Sequence, residues 1–481
     1  MDSSTGRDRG YRPFFTPLSV VVSGRGWVRL FFAGALLASA LTANGYAQDQ
    51  RKVTEPVIPK SCAVLTALLR AVNDNTTLAE ADEQKTDTAR IQTALDRCAA
   101  GQAVEMVASS STSAFLSGPL QLPAGVTLLV DANTILFGSR NPRDYDVSSG
   151  SCGVVDHNGR GCKPLISASH VENSGVMGDG IIDGRGWAKL LGGKKSWWDL
   201  AEDARGDDLR QNCPRLLQLD HADNFSLYRI TLKNSPNFHV AYSGGTGFTA
   251  WGVIIDTPKH ARNTDGIDPI SAQNVTITYS YIHTGDDNVA IKAGDAGPSS
   301  HITVAHNHFY TGHGMSIGSE TNGGVSALRV SDLSIDGADN GIRIKSNASR
   351  GGLVHDVAYS DVCIRNSKNP ILMDTHYSFY GTRRDLLPEF TQIVLHDVRI
   401  IGGGKITLDG YDGAHRLGIQ FDNVILDSPS QIKIFGNHAD ILLGPGPVNF
   451  QPFGADVHVE GKPGSVTPNT CLDKFVPLPK R

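Results

Sequence analysis

Short apolar patterns recur along the second half of the chain with a fixed internal spacing: apolar, any residue, apolar, then an apolar residue five positions further on. The unit starts at Phe225 (FSLYRITL), Phe248 (FTAWGVII), Val275 (VTITYSYI), Ile302 (ITVAHNHF), Leu328 (LRVSDLSI), Val357 (VAYSDVCI), Ile393 (IVLHDVRI) and Ile419 (IQFDNVIL). Successive starts are 23, 27, 27, 26, 29, 36 and 26 residues apart. Val and Ile fill the apolar positions, and Gly, Asn and Asp punctuate the gaps, the signature of short strands joined by tight turns. One such turn cannot bury its apolar side alone, whereas a stack of turns can. Leucine-rich repeats have a similar period but need a leucine-dominated consensus with an Asn in each unit, which is missing here. The pattern therefore predicts an all-β right-handed parallel β-helix, a β-solenoid. The amphipathic stretch ARIQTALDRCAA, residues 89–100, is expected to form a short helix capping its N-terminal end, where strand edges would otherwise stand open. A solenoid grows along one axis, so residues 48–481 are read as a single domain.

Residues 1–47 follow another rule. Arg25 and Arg29 precede an apolar run from Leu30 to Leu41, and small residues at Gly45 and Ala47 follow. This is the order of an export signal, removed near Ala47; twelve apolar residues fall short of the about 20 needed to span a bilayer. The mature chain is accordingly expected outside the cell, by way of a periplasm where there is one, with no membrane attachment. An oxidising compartment lets cysteines pair. Of the seven, Cys152 is expected to join Cys162 around GVVDHNGRG and Cys62 to join Cys98 across the capping helix, with Cys213 and Cys471 unassigned and Cys363, inside the apolar run VCI, a buried thiol. No cysteine or histidine spacing suits zinc, so no metal and no cofactor is expected. The net charge of −5, or −8 without residues 1–47, argues against nucleic acid as a partner.

Four polar motifs keep step with the repeat: NTDGID at 263–268, GDD at 285–287, GHG at 312–314 and RIK at 343–345. Asp265, Asp286, His313 and Arg343 follow one another at intervals of 21, 27 and 30 residues, so stacking brings all four motifs to one groove. Three carboxylates there could supply a proton donor and a water-activating base, the pair that glycoside hydrolysis needs. Crowding Asp265, Asp286 and Asp287 raises the pKa of at least one of them. Arg343 and Lys345 alternate about Ile344 and so share a face. Guanidinium beside ammonium suits a sugar carboxylate, which points to a uronic acid substrate.

In this order and spacing, NTDGID, GDDNVAIKAG, GHGMSIGSE and RIK resemble glycoside hydrolase family 28, in particular its bacterial endopolygalacturonases. The likeness runs from about Cys62 to about residue 440 and takes in CGVVDHNGRGC, GIIDGRG, SWWDLA and NSPNFHV. It implies a monomeric enzyme that hydrolyses α-1,4 links of polygalacturonic acid with inversion. Asp286 would be the general acid, Asp265 and Asp287 would hold and activate water, and His313 would support the acid. Arg343 and Lys345 would bind the galacturonate carboxylate, with Asn263 and, in PILMDTHYS, Tyr377 as further substrate contacts.

Alternatives stand beside this reading. Asp and Asn at coil corners often only bond turns, His313 could be a turn residue between glycines, and Tyr377 could simply pack under the loop 378–389. GDGIIDGRG at 178–186 lacks the GxGxxG and Lys-Ser/Thr marks of a phosphate loop. The long 36-residue step, spanning Tyr377 to Glu389, could close one end of the groove and make the enzyme exo-acting. A Ca²⁺-dependent pectate lyase and a non-catalytic pectin-binding solenoid are the readings furthest from hydrolysis.

Overall fold

The apolar positions of the repeat form two continuous ladders inside a parallel β-helix. A computed structural model describes residues 48–205, 209–378, 383–465 and 470–480; the export segment expected over residues 1–47 lies outside them. Phe248 pairs with Val275, Val275 with Ile302, Ile302 with Leu328, Leu328 with Val357, Val357 with Ile393 and Ile393 with Ile419, all in parallel register. Leu232, Ile255, Ile282, Phe309, Ile335, Ile364, Ile400 and Leu426 form the second ladder in the same manner. Every member of both is buried. In all, 31 strands of the described residues join one sheet that winds about this core.

The five-residue offset inside each unit has a backbone cause. Asn274 and Tyr279, His301 and His306, Ala327 and Asp332, Asp356 and Asp361, and Gln392 and Asp397 all sit at φ between 47° and 58°. A single left-handed residue turns the chain sharply, and Asn and Asp tolerate that conformation best among residues with a Cβ. Two such bends per coil separate the faces of the solenoid. The residue that follows each bend, such as Val275, Leu333, Val357 or Val398, is buried.

A third face carries the polar motifs. Its strands Val240–Ser243, Ile267–Ile270, Val289–Ile291, Met315–Ile317, Asn340–Lys345 and Asn369–Asp374 stack in parallel. Ile267 sits on Val240, Val289 on Ile267, Met315 on Val289, Ile342 on Met315 and Ile371 on Ile342. NTD, GDD and GHG immediately precede three of these strands, and RIK ends a fourth. Residues with no sequence proximity thus meet on one surface.

The ends of the stack are closed by local devices. The helix Thr88–Arg97 buries Ile91 and Leu95 on the N-terminal coil and is tied by Cys62–Cys98, Cα atoms 5.7 Å apart. Cys152 and Cys162 are joined as well, at 4.7 Å. Cys363 is not the buried thiol expected: it is bonded to Cys471, and the free buried thiol among the described residues is Cys213. Ile364 faces the core, so its neighbour Cys363 faces out. It is buried only because residues 470–480 return along the outside of the coils, where Lys474 bonds Asp361 at 2.7 Å, the Arg365 guanidinium lies 4.1 Å from the Phe475 ring, and Tyr310 donates to the carbonyl of Val476 at 3.0 Å. Residues 48–55 strap the strands that precede the second bend of these coils: Thr276 donates to Asp49 at 2.7 Å, the Asp49 N–H donates to Thr303, and Tyr228 donates to Glu55 at 2.6 Å. Among the described residues no helix is long and apolar enough to cross a membrane.

Because each ladder residue is clamped between coils, Ile302→Ala leaves a cavity that neighbouring strands cannot collapse into. The expected loss is about 2–5 kcal/mol of unfolding free energy, read from urea denaturation; a loss under about 1 kcal/mol would contradict the rigidity of the stack.

Candidate active site

The loops that carry the polar motifs are held from below by one buried amide. Asn288, fully buried, donates through Nδ2 to the carbonyls of Ile282 and Thr311, both at 3.0 Å, while its Oδ1 accepts the N–H of Gly314 at 2.8 Å. This fixes GDD against GHG. The glycines of GHG are there for space: a Cβ on Gly314 (φ 71°) would lie 2.2 Å from the carbonyl oxygens of Asn340 and Gly341, and one on Gly312 (φ 130°) 2.5 Å from that of Asp286. Only the histidine between them is left to do chemistry.

Two sets of charges result. In the first, Asp287 accepts hydrogen bonds from Lys345 Nζ at 2.9 Å, from Ser316 Oγ at 2.8 Å and from the Arg343 guanidinium, whose Nε also donates to Ser316 at 3.0 Å. Burial works to raise the Asp287 pKa, but Arg343 and Lys345 outweigh it and hold the carboxyl far below the usual range. Beside it, Nδ1 of His313 lies 3.1 Å from Oδ1 of Asp286 and 4.0 Å from Oδ1 of Asp287. Asp286 is also lowered, since the hydrogen bond to His313 and the charge of Lys345 together overcome its burial and its neighbour Asp287. The Tyr377 ring packs against this set, its centre 5.2 Å from Lys345 Nζ.

The second set is Asp265, Asp268 and Lys292. Lys292 Nζ donates to Asp265 at 3.1 Å and also to Asp268. Burial would depress the Lys292 pKa, yet Asp268 and Asp265 hold it well above its ordinary value. Asp265 moves the other way from Asp286: burial first, then repulsion from Asp268, raises its pKa well above the carboxylate range despite Lys292. One oxygen of Asp265, Oδ1, is buried without a hydrogen-bond partner among the described residues. Asn263, at φ 57°, accepts from Gln211 Nε2 at 3.1 Å at the groove wall.

The structure thus brings Asp286, Asp287, His313, Arg343, Lys345 and Tyr377 into one contact network, with Asp265 electrostatically linked to it and Asn263 on the rim. Of the three aspartates expected to crowd one another, the one with a raised pKa is Asp265; burial raises that of its neighbour Asp268 as well. Asp268, Lys292, Ser316 and Asn288 belong to the site and were not singled out by sequence. Lys292 had a usable signal: it lies 27 residues beyond Asp265, one repeat step, within GDDNVAIKAG. Asp286, Asp287 and His313 also present ligand atoms within 4.8 Å of one another, as a metal site would. Arg343 and Lys345 already neutralise Asp287 there, and their positive charge opposes a cation on the same oxygens.

Comparison with known proteins supports one family. The model of glycosyl hydrolases family 28 matches residues 98–439. The chain is 45% identical over 399 residues to an endo-polygalacturonase of Pectobacterium carotovorum subsp. carotovorum, covering 83% of this chain and 94% of that one. It is 39% identical over 513 residues to a polygalacturonase of Ralstonia nicotianae, covering 93% and 96%. Among solved structures, the polygalacturonase from Erwinia carotovora ssp. carotovora superposes with a TM-score of 0.75 at 44% identity, covering 82% of this chain and all of that one.

The two charge sets respond oppositely to substitution. Asp287→Asn leaves Arg343 and Lys345 buried without their carboxylate, which should cost about 3–5 kcal/mol in denaturant unfolding. Asp265 has a raised folded pKa, so its ionisation opposes folding at every pH above the unfolded value of about 3.9. Asp265→Asn should therefore raise the melting temperature at neutral pH, with the gain shrinking as pH falls towards that value and gone below it. An unchanged melting temperature at pH 7 would mean that Lys292 fully compensates the Asp265 charge.

Proposed function

Because the chain belongs to glycosyl hydrolases family 28, we propose that it is an endo-acting polygalacturonase that hydrolyses α-1,4 links of polygalacturonic acid with inversion of configuration. The observation that carries this is the Asp286–His313 contact set beside a carboxylate, Asp287, that is already holding Arg343 and Lys345. Cations positioned for one carboxylate are positioned to exchange it for another, here the uronate of the substrate.

Asp286 is the proton donor to the glycosidic oxygen. Its lowered pKa is the electrostatic problem such a donor must solve, and the substrate supplies the solution. A sugar carboxylate binding Arg343 and Lys345 cancels part of the positive charge that depresses Asp286 and Asp287, and moves the donor's pKa upward. His313, with Nδ1 3.1 Å from Oδ1 of Asp286, holds the donor in position. Asp265 and Asp287 orient and activate the attacking water, and the unpartnered Oδ1 of Asp265 is a ready acceptor for it.

Endo action is favoured over exo action by the name and 45% identity of the Pectobacterium relative. The long repeat step agrees: Leu386 and Glu389 donate to the carbonyls of Ala348 and Gly352, so the described end of the insertion lies on the preceding coil. The enzyme is further proposed to act as a monomer outside the cell, after removal of residues 1–47, on the strength of the Arg-flanked apolar run and three disulfides.

Incubation of the purified enzyme with polygalacturonate in EDTA should give a ladder of saturated oligogalacturonides and a rapid fall in viscosity. Mono- or digalacturonate alone would establish exo action, and ultraviolet-absorbing unsaturated ends would establish elimination. Asp286→Asn should lower kcat by about 10²–10⁴-fold while the protein keeps its melting temperature and polymer binding; turnover like that of the native enzyme would remove Asp286 from the role of acid.

A further inference from the structure

The strands Ile166–Glu172 and Leu217–Asp223 continue the polar-motif face toward the N-terminus, in parallel register with Val240–Ser243. Each of the two bends sharply at a histidine: His170 has φ 52° and His221 φ 48°. The two are 51 residues apart in the chain. Pairing of Asp220 with Ser169 and of Ala222 with Val171 puts them at the same corner of successive coils. Their rings stack with centres 4.9 Å apart and planes within 10°. Asp220 stands beside them, its Oδ1 3.1 Å from Nδ1 of His221, and Oγ of Ser169 lies 3.0 Å from Nδ1 of His170.

Two imidazoles and a carboxylate are a donor set for zinc-type divalent ions. One donor atom from each of His170, Asp220 and His221 lies within 4.8 Å of the other two. Around an ion with bonds of about 2.0–2.1 Å, tetrahedral donors stand about 3.3 Å apart. Rotation of the side chains closes that gap, and they have room for it: the side chains of His221 and Asp220 are 54% and 43% exposed. The corner that follows in the next coil is Gly244, at φ 65°, where a Cβ would lie 2.7 Å from Cε1 and 2.8 Å from Nε2 of His221. The missing side chain gives that ring its place. The Ser169 hydroxyl on His170 is the kind of outer contact that orients a ligating ring. Unlike Asp287, which Arg343 and Lys345 neutralise, Asp220 is paired with no lysine or arginine among the described residues.

We propose that His170, Asp220 and His221 bind one zinc-type divalent ion, with water completing its coordination, and that the ion cross-links two coils on the N-terminal side of the carboxylates. The site is separate from the chemistry of the groove. Asp220 stands in line with Ser243, Ile270 and Lys292 of successive coils, three steps of about 4.8 Å from Lys292. The donors come together only when the two coils are in register, so the ion binds the folded stack in preference to the unfolded chain and stabilises it.

The test is made on the purified protein after EDTA treatment and dialysis. Calorimetric titration with zinc chloride at neutral pH should show an equivalent of zinc bound, and the melting temperature should rise with zinc concentration. Calcium chloride should do neither, because calcium takes oxygen donors and leaves imidazole alone. His170→Asn and His221→Asn keep a residue that tolerates the left-handed corner, and each should lose that equivalent together with the zinc-dependent rise in melting temperature. Asp220→Asn alters neither corner and should weaken zinc binding at least about tenfold; it decides the matter should the histidine variants fail to fold. Native protein that binds no zinc, or variants that bind it with native stoichiometry and affinity, would overturn the proposal. Calcium binding that the same substitutions abolish would overturn the zinc-type assignment.

Discussion

Everything in this molecule depends on the axial register between coils. Parallel strands stacked about 4.8 Å apart convert a repeat of 26 or 27 residues into direct contact, so that Ser316 sits on Ala290 and beneath Arg343 while Ile302 is held between Val275 and Leu328. A slip of one residue anywhere in the stack would turn a buried ladder outward. It would also carry Arg343 away from Asp287. The same register that makes the core therefore sets the catalytic distances, and the apolar ladders are the ruler by which the polar face is measured.

On that face the problem is to keep many charges out of water within a few ångströms. The solution is alternation of sign along the axis: Asp265 and Asp268 with Lys292, then Asp287 with Arg343 and Lys345. Both sets are nearly neutralised, yet they differ in outcome, since two carboxylates sharing one cation leave Asp265 reluctant to ionise and two cations sharing one carboxylate leave Asp287 unable to hold a proton. Asp286 and His313 lie on the more exposed side of the second set. The ion pairs of Asp287 are thus buried beneath the Asp286–His313 contact, which stands on the accessible side of the groove.

Much of this was legible in the sequence, because stacking translates position in the chain into position in space by a simple rule. The starting residues named from the apolar pattern, from Phe248 to Ile419, are the residues that pair, and the polar motifs share a groove as their intervals require. What escaped was whatever depends on direction or environment instead of interval. Cys363 reads as core because its neighbours are apolar, but the alternation across the preceding bend at Asp361 points it outward to Cys471. Lys292 and Asp268 were both hidden inside motifs quoted for other aspartates. The sign of the Asp265 and Asp286 pKa shifts could not follow from crowding alone, for it depends on which cation stands next to which carboxylate.

The strap at residues 48–55 has a temporal consequence. Asp49 is among the earliest residues of the described chain to be synthesised, but its amide meets Thr303, 254 positions later. A stack of coils can assemble progressively as each turn finds the one before it, whereas this contact must wait until its receiving coil exists. The N-terminal segment is thus a clasp that closes only once the coils of Thr276 and Thr303 are in place. Until then the outer threonine row of Thr249, Thr276 and Thr303 stays uncovered, and the molecule carries in its topology a mark of which part was finished first.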